Sequence, residues 1–250
     1  EGDSKDNWPI KRASEISLVV VPWFHAMGVN GYLNLQVMSG QTMVVFPRFD
    51  PTEYLQAFNK YRATVFGGAP QLFVPLVEHP AYEDTDMSEI KLVVSGAAPI
   101  PQYLLEAMLE KIPGVVCEGY GLSECTLGCS LNPASREGYR LGSVGLPVAD
   151  TEIKIVDAEE GTKEMPVGEI GEIILKGPQV MKGYWKKPDE TADTLKDGWL
   201  YTGDIGREDE DGYFYITDRK KDMIIYKGYN VYPREIEEVL FTHAAVEQCA

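Results

Sequence analysis

The sequence predicts an α/β fold: a mostly parallel sheet with flanking helices, followed by a small antiparallel β-subdomain. Three observations carry that expectation. Residues 16–130 alternate short apolar runs with amphipathic stretches, the pattern of strands joined by packed helices. Several of the amphipathic stretches open on proline, which suits a first helical turn because its missing N–H would have no partner there. From about residue 142 the texture changes to short strands cut by Gly, Pro and Asp turns, as in a small antiparallel sheet or barrel.

Taken in order, the strand candidates are ISLVVV (16–21), TMVVF (42–46), ATVFG (63–67), IKLVVS (90–95) and PGVVCE (113–118). Helices are expected over PTEYLQAFNKY (51–61), PQLFVPLVEH (70–79) and PQYLLEAMLEKI (101–112). Ligands of such sheets sit at the carboxyl ends of the strands. GGAP (67–70), SGAAP (95–99) and EGYGLSE (118–124) would all fall there, each just after a strand. Beyond 142, GSVGLPVADTEIKIVD, GEIGEIILKGP and DGYFYITD read as short strands. DRKKD (218–222) is a charged connector, and MIIYKGYNVYP a hairpin leading into a helix at PREIEEVLFTH. No repeat or low-complexity tract interrupts this order.

The bulk properties narrow the partners. The chain has 250 residues, 44% hydrophobic and 25% charged, with a net charge of -16 and a pI near 4.6. Such an acidic chain does not offer a general nucleic-acid or anionic-membrane surface. An anionic ligand must be held locally, by backbone N–H groups, a few placed cations or a metal. The four cysteines, at 117, 125, 129 and 250, form no CxxC pair and lie far in sequence from His25, His79 and His243. They read as buried free thiols of a reducing, cytoplasmic protein rather than a zinc site. The longest apolar run, ISLVVVPWF, is too short to span a bilayer. The chain opens on Glu1 rather than Met and stops inside FTHAAVEQCA, so both ends read as cuts through a longer protein.

The stretch EGYGLSEC (118–125) concentrates chemistry at one strand end. Gly119-x-Gly121-x-x-Glu124 lacks the third glycine of a dinucleotide fingerprint, and no acidic partner unit follows it. Tyr120 instead offers a flat face for a purine, Ser123 a hydroxyl for a phosphate, and Glu124 a hard oxygen for Mg²⁺. Alone, the octapeptide reads first as an ordinary strand and turn with an acid at a helix start and Tyr120 as packing. In GWLYTGDIG (198–206), Asp204 is able to accept from two hydroxyls at once, which suits a ribose diol, or is a plain turn aspartate. Arg219 in DRKKD carries a rigid fork of donors for ribose or phosphate, or belongs to a solvated linker. In PWFHAMG (22–28), His25 stands beyond a strand end beside two aromatics, as a packing or a pocket residue.

The joint order decides. SGAAP, YGLSE, GSVGLP, GEIILKGPQVMKGYW, WLYTGD and DRKKDMIIYKGYNVYPREIE follow one another in one chain. This order resembles the adenylate-forming superfamily of acyl-CoA synthetases, luciferases of that fold and peptide-synthetase adenylation domains. Within it, EGYGLSEC, KGPQVMKGYWKKPDET and DRKKDMI…GYNVYPREIE look most like fatty-acid–CoA ligases. The resemblance implies ATP-dependent activation of a carboxylic acid to acyl-AMP with pyrophosphate release, then transfer to CoA. ATP, the acid and CoA are the implied partners, with Mg²⁺ as cofactor, in a cytoplasmic or peripherally membrane-associated enzyme. It also implies roles for residues. Tyr120 lies against adenine, with Gly121 in the same motif. The Gly96, Ala97 and Ala98 backbone lines the adenine site, Ser123 contacts phosphate and Glu124 ligates Mg²⁺. Asp204 holds the ribose and Arg219 binds nucleotide. Trp23, Phe24 and His25 gate an acyl pocket walled by Gly67, Gly68 and Gly119, where absent side chains leave room for an acyl chain. Lys221 is the hinge, and Lys227 and Gly228 fall on the CoA side, although Ile225 stands where several branches carry a lysine.

The same resemblance assigns residues 1–141 to the second α/β subdomain of a large domain, 142–217 to its small β-barrel-like subdomain, 218–222 to the hinge and 223–250 to the start of a small mobile domain. The family's phosphate loop and its C-terminal lysine are absent from these 250 residues. This stretch alone is therefore expected not to complete adenylation. Packing of the last residues on a second copy, a homo-oligomer, is a further expectation. The alternatives are a peptide-synthetase or luciferase-like adenylate former, and a non-catalytic nucleotide- or acyl-binding module.

Overall fold

A computed structural model describes residues 9–98, 100–226, 229–241 and 246. The chain divides into two units, residues 1–145 and 146–250. In the first, strands β1 (Ile16–Val19), β2 (Thr42–Val45), β3 (Val65–Gly68), β4 (Leu92–Ser95) and β5 (Val115–Tyr120) pair in parallel in the order β2-β1-β3-β4-β5, and β6 (Ser130–Leu131) adds antiparallel to β5. Helices α2 (Pro51–Tyr61), α3 (Pro70–Val77) and α4 (Gln102–Lys111) connect the parallel strands. A π-helical segment (Met27–Asn34) running into a short α1 (Leu35–Ser39) stands between β1 and β2.

Local sequence explains the elements. Asp50 caps α2 by accepting the Glu53 N–H at 3.0 Å, Pro51 opens it, and Arg62 ends it in the left-handed region. Its apolar face, Tyr54, Leu55, Ala57 and Phe58, is buried. Tyr54, Phe58, Phe66 and Phe73 form a chain of edge-on contacts with centroids 5.0–5.9 Å apart. Each such contact adds about 0.5–1.5 kcal/mol beyond area burial. The Tyr54 hydroxyl, buried with them, donates to the Leu18 carbonyl at 3.1 Å.

The second unit is antiparallel. After the short β7 (Leu146–Pro147), strands β8 (Glu152–Val156), β9 (Gly171–Lys176), β10 (Leu195–Lys196) and β11 (Trp199–Glu208) assemble in the order β10-β11-β9-β8, with β12 (Phe214–Arg219) on β11. Beyond them lie the hairpin β13 (Ile224–Tyr226) and β14 (Tyr229–Val231), and α6 (Pro233–Phe241). The turn after β8 is closed by the Asp157 carboxylate, which accepts the backbone N–H groups of Lys163, Glu160, Thr162 and Gly161 at 2.6–3.1 Å. These donors, that of Lys163 foremost, hold its carboxyl down to about 2, against an ordinary 3.8. A depressed carboxyl stabilises the fold above its unfolded pKa and loses that contribution as pH falls through the folded one. Asp157→Asn is therefore expected to flatten the acid limb of stability between about pH 4 and pH 2, read as the urea midpoint against pH.

Three sequence expectations shift. Gly68 lies inside β3, and Gly119 and Tyr120 inside β5, one and two residues beyond the expected strand ends. Strand pairing continues through them because Gly68 is in register with Ser95, and Ser95 with Glu118. Asp218 and Arg219 close β12 rather than forming a connector. Helix α5 (Pro188–Thr194) was not foreseen: it buries no residue, so it carries no apolar period.

Candidate functional site

In the first unit, the carboxyl ends of β3, β4 and β5 lie side by side and carry the residues singled out above. Gly96 follows β4, with its N–H on the Gly68 carbonyl at 3.2 Å. Ala97 then turns with φ +69°, a left-handed conformation that a side-chain-bearing residue seldom adopts. Glu118, on β5 and 5% exposed, ties this turn down. Its Oε1 accepts the Ile100 N–H at 2.8 Å, and its Oε2 accepts the Tyr139 hydroxyl. Burial, and then this bond to a carboxylate, push the Tyr139 phenol well above its ordinary value. The sequence reading missed Glu118. Its one signal is a glutamate inside an apolar run, VVCEGY, which is costly unless the acid is fully bonded.

Tyr120 is buried, and its carbonyl accepts the Cys129 N–H at 2.9 Å. Chain reversal follows at once. Ser123–Cys125 is a single 3₁₀ turn, closed by the Thr126 N–H on the Ser123 carbonyl at 3.1 Å. Ser123 is exposed and Glu124 half-buried at its start. The Cys125 sulfur accepts the Leu122 N–H at 3.2 Å. The Cys129 thiol beside it holds the Cys125 thiol down to about 7, against the effect of burial. Cys117, Cys125 and Cys129 are buried and free, as expected of thiols in the interior.

The acyl-side candidates are placed differently. Trp23, Phe24 and His25 are exposed, Phe24 at 93%, and the His25 Nδ1 accepts the Met27 N–H at 3.2 Å. Space above the wall glycines is already taken. A Cβ at Gly67 would stand 2.2 Å from the Val94 carbonyl oxygen and 2.5 Å from the Tyr32 hydroxyl. One at Gly119 would stand 2.9 Å from Leu131, and one at Gly68 3.3 Å from Leu72. These glycines thus admit neighbouring groups rather than leaving a void.

In the second unit, Asp204 and Arg219 are partners across β11 and β12, and Arg219 Nε donates to Asp204 Oδ1 at 2.8 Å. The carboxylate is buried while the guanidinium is more than half exposed. Two residues read separately in the sequence are thus one unit. A bulge makes the arrangement. Between Tyr201 and Ile205 the register of β11 slips against β9, with Gly203 at φ +70°. Thr202 Oγ1 donates to the Ile173 carbonyl at 2.7 Å and accepts the Asp204 N–H at 3.0 Å. Glu172, buried on β9, accepts the Gly203 N–H at 3.1 Å and Lys220 Nζ at 2.7 Å. Glu172 and Lys220 were not singled out by sequence, although Glu172 again stands in a strand of apolar neighbours. Lys221 is exposed in the turn after Arg219. Lys227 and Gly228 lie outside the described residues.

No three His, Cys, Asp or Glu side chains among the described residues gather to hold a metal. Mg²⁺ does not need such a cage, since it is commonly held by one or two carboxylates, water and substrate phosphates. A single half-buried Glu124 beside an exposed hydroxyl fits that habit. No helix of the described residues is long and apolar enough to cross a membrane.

Comparison with known proteins bears on this arrangement. A family model described as AMP-binding enzyme matches residues 3–185. A long-chain-fatty-acid–CoA ligase of Bacillus subtilis (strain 168) is 43% identical over 246 residues, covering 96% of this chain and 43% of that protein. A feruloyl-CoA synthase of an Amycolatopsis species is 36% identical, covering 95% of this chain and 48% of that one. Among solved structures, ATP-bound MatB from Rhodopseudomonas palustris superposes with a TM-score of 0.85 at 33% identity, over 95% of this chain and 46% of that chain. The O-succinylbenzoate coenzyme A synthetase of Bacillus subtilis with ATP and magnesium ion gives 0.83 at 33% identity, over 96% and 48%. The chain spans less than half the length of these curated relatives.

Proposed function

We propose, from the premise that the chain belongs to the AMP-binding enzyme family, that its parent protein is an AMP-forming acid–thiol ligase acting on a fatty acid. The reaction joins a carboxylate to the α-phosphate of ATP, releases pyrophosphate, and passes the acyl group to the CoA thiol with loss of AMP. A carboxylate oxygen is a poor leaving group, whereas AMP departs readily. Ser123 contacts the phosphates and Glu124 holds Mg²⁺. When bound, that ion neutralises charge building on the phosphates. Tyr120, with Gly121 and the Gly96–Ala98 backbone, orients adenine, and Arg219 the ribose and phosphates. Trp23, Phe24 and His25 border the acid. Lys221 serves as the pivot of a small domain beginning near residue 223, and Lys227 and Gly228 face the CoA side.

The observation that carries the reading is the Asp204–Arg219 pair at the β11 bulge. A carboxylate oriented by a cross-strand arginine, on a turn whose backbone N–H groups are held by Thr202 and Glu172, is preorganised to accept two ribose hydroxyls. The test is ATP–pyrophosphate exchange on the full-length protein, with acids from acetate to long-chain fatty acids, and aryl and amino acids. Exchange should depend on a fatty acid and fall about 10- to 100-fold in Asp204→Ala, the loss of one charged hydrogen-bond partner. Exchange with aryl or amino acids only would move the substrate class, and none with any acid would overturn the reading.

A further inference from the structure

We propose that Asn30 is a positioning residue that sets the turn bearing Ser123 and Glu124 from outside, across 96 residues of sequence. The inference rests on the reading above, in which that turn holds phosphate and Mg²⁺. Asn30 sits in the π-helical segment Met27–Asn34. Helices of that type are rare and concentrate at functional sites, because the wider turn presents side chains that an α-helix would point elsewhere.

The Asn30 Nδ2 donates to the Thr126 carbonyl at 2.8 Å. Asn34 Nδ2 donates in turn to Asn30 Oδ1 at 3.0 Å, which selects the amide orientation that leaves Nδ2 facing Thr126. Thr126 is the residue on which the 3₁₀ turn closes, through its own N–H on the Ser123 carbonyl. It stands at φ +69°, ψ −46°, a conformation costly for any β-branched residue. Such a residue persists only where its surroundings over-determine it, and the Asn30 amide is one of the groups that do so.

The other side of the same segment reaches the strand ends. Tyr32 is buried with its hydroxyl over Gly67, and the Met27 methyl would lie 3.8 Å from a Cβ at Gly96. One rigid element therefore touches β3, the Gly96 turn and the Ser123–Thr126 turn. The Asn30 bond itself is solvent-exposed, so its contribution to global stability is small while its leverage on a strained turn is large.

The test compares Asn30→Ala and Asn30→Asp in the full-length protein, the second being isosteric but without the donor. ATP–pyrophosphate exchange gives KM for MgATP, KM for the acid and the maximal rate, and a thermal scan gives the midpoint. Both variants are expected to raise KM for MgATP about 5-fold, the value of one hydrogen bond. KM for the acid and the midpoint should stay at wild-type values, and Asn30→Gln should restore part of the loss. An unchanged KM for MgATP in both variants would overturn the inference. So would a wild-type KM in Asn30→Asp alone, or a joint fall of all constants with the midpoint. Absence of exchange in the wild type would instead remove the ligase reading on which the inference rests.

Discussion

Glu118→Ala is expected to lower the stability of the first unit by about 2–5 kcal/mol, because it removes the acceptor of a buried N–H and of a half-buried hydroxyl rather than deleting one contact. The Ile100 N–H and the Tyr139 hydroxyl both end on this one carboxylate, and Glu118 is 5% exposed. A methyl group leaves the buried Ile100 N–H with no acceptor, at about 1–3 kcal/mol, and costs the half-buried Tyr139 hydroxyl a hydrogen bond to a charged group, about 1.5–3 kcal/mol. In a chain of this size that is a fall in the thermal midpoint on the order of 10 °C. Glu118→Gln separates charge from shape. Its amide accepts at one position but presents N–H to the other donor, so about half the loss should remain. A midpoint for Glu118→Ala within about 2 °C of wild type would sink this account, since the network would then be dispensable. The change also releases the Ile100 backbone from β5.

Much of the first unit was legible because its signals are local. Asp50 and Pro51 open α2, and Leu55 and Phe58 give it a period, so the expected range 51–61 is the observed one. The β1 and β4 runs are largely apolar and buried, as inner parallel strands covered on both faces must be, whereas β2 is an edge strand with Thr42 and Val45 exposed. Glycine misplaced the strand ends. Gly68 reads as the start of a loop by propensity, but its neighbour Ser95 on β4 continues the ladder. Helix α5 carries a start signal in Pro188, Asp189 and Glu190 but no buried face, so periodicity is silent. At the candidate site, Ser123, Glu124, Asp204 and Arg219 were legible one by one. Their relations were not, because the pairing of Asp204 with Arg219 depends on a register slip between β11 and its neighbours. Glu118 and Glu172 escaped notice for one reason. A buried acid inside a strand looks like a strand boundary until the donors that satisfy it, 18 or more residues away, are placed in space.

On the proposed function, Gly121→Ala is expected to cost the full-length protein about 100-fold or more in ATP–pyrophosphate exchange while leaving it folded. A Cβ at position 121 would stand 1.8 Å from the Leu127 carbonyl oxygen and 2.6 Å from the Gly128 Cα. Both are backbone atoms, so no rotamer change relieves the clash. The strand-to-turn junction has to spread, and what lies between residues 121 and 127 is the turn carrying Ser123 and Glu124. Displacement of such groups by about 1 Å is enough for a 100-fold loss, because most of what they contribute is orientation. The stability cost is that of local overpacking, about 1–3 kcal/mol. It is smaller than that of Glu118→Ala at its upper range, because the Tyr120–Cys129 bond on the core side can hold. Gly128→Ala is the control: its Cβ would meet only the Tyr120 carbonyl oxygen, at 3.7 Å, an ordinary contact. Exchange kinetics and thermal midpoints of the two variants decide the matter. Near-wild-type exchange in Gly121→Ala, or equal damage in both, would show that close backbone approach at Gly121 does not set the turn. A large loss in Gly121→Ala alone, with a midpoint shift of only a few degrees, would tie the spacing of Tyr120, Ser123 and Glu124 to one missing methyl group.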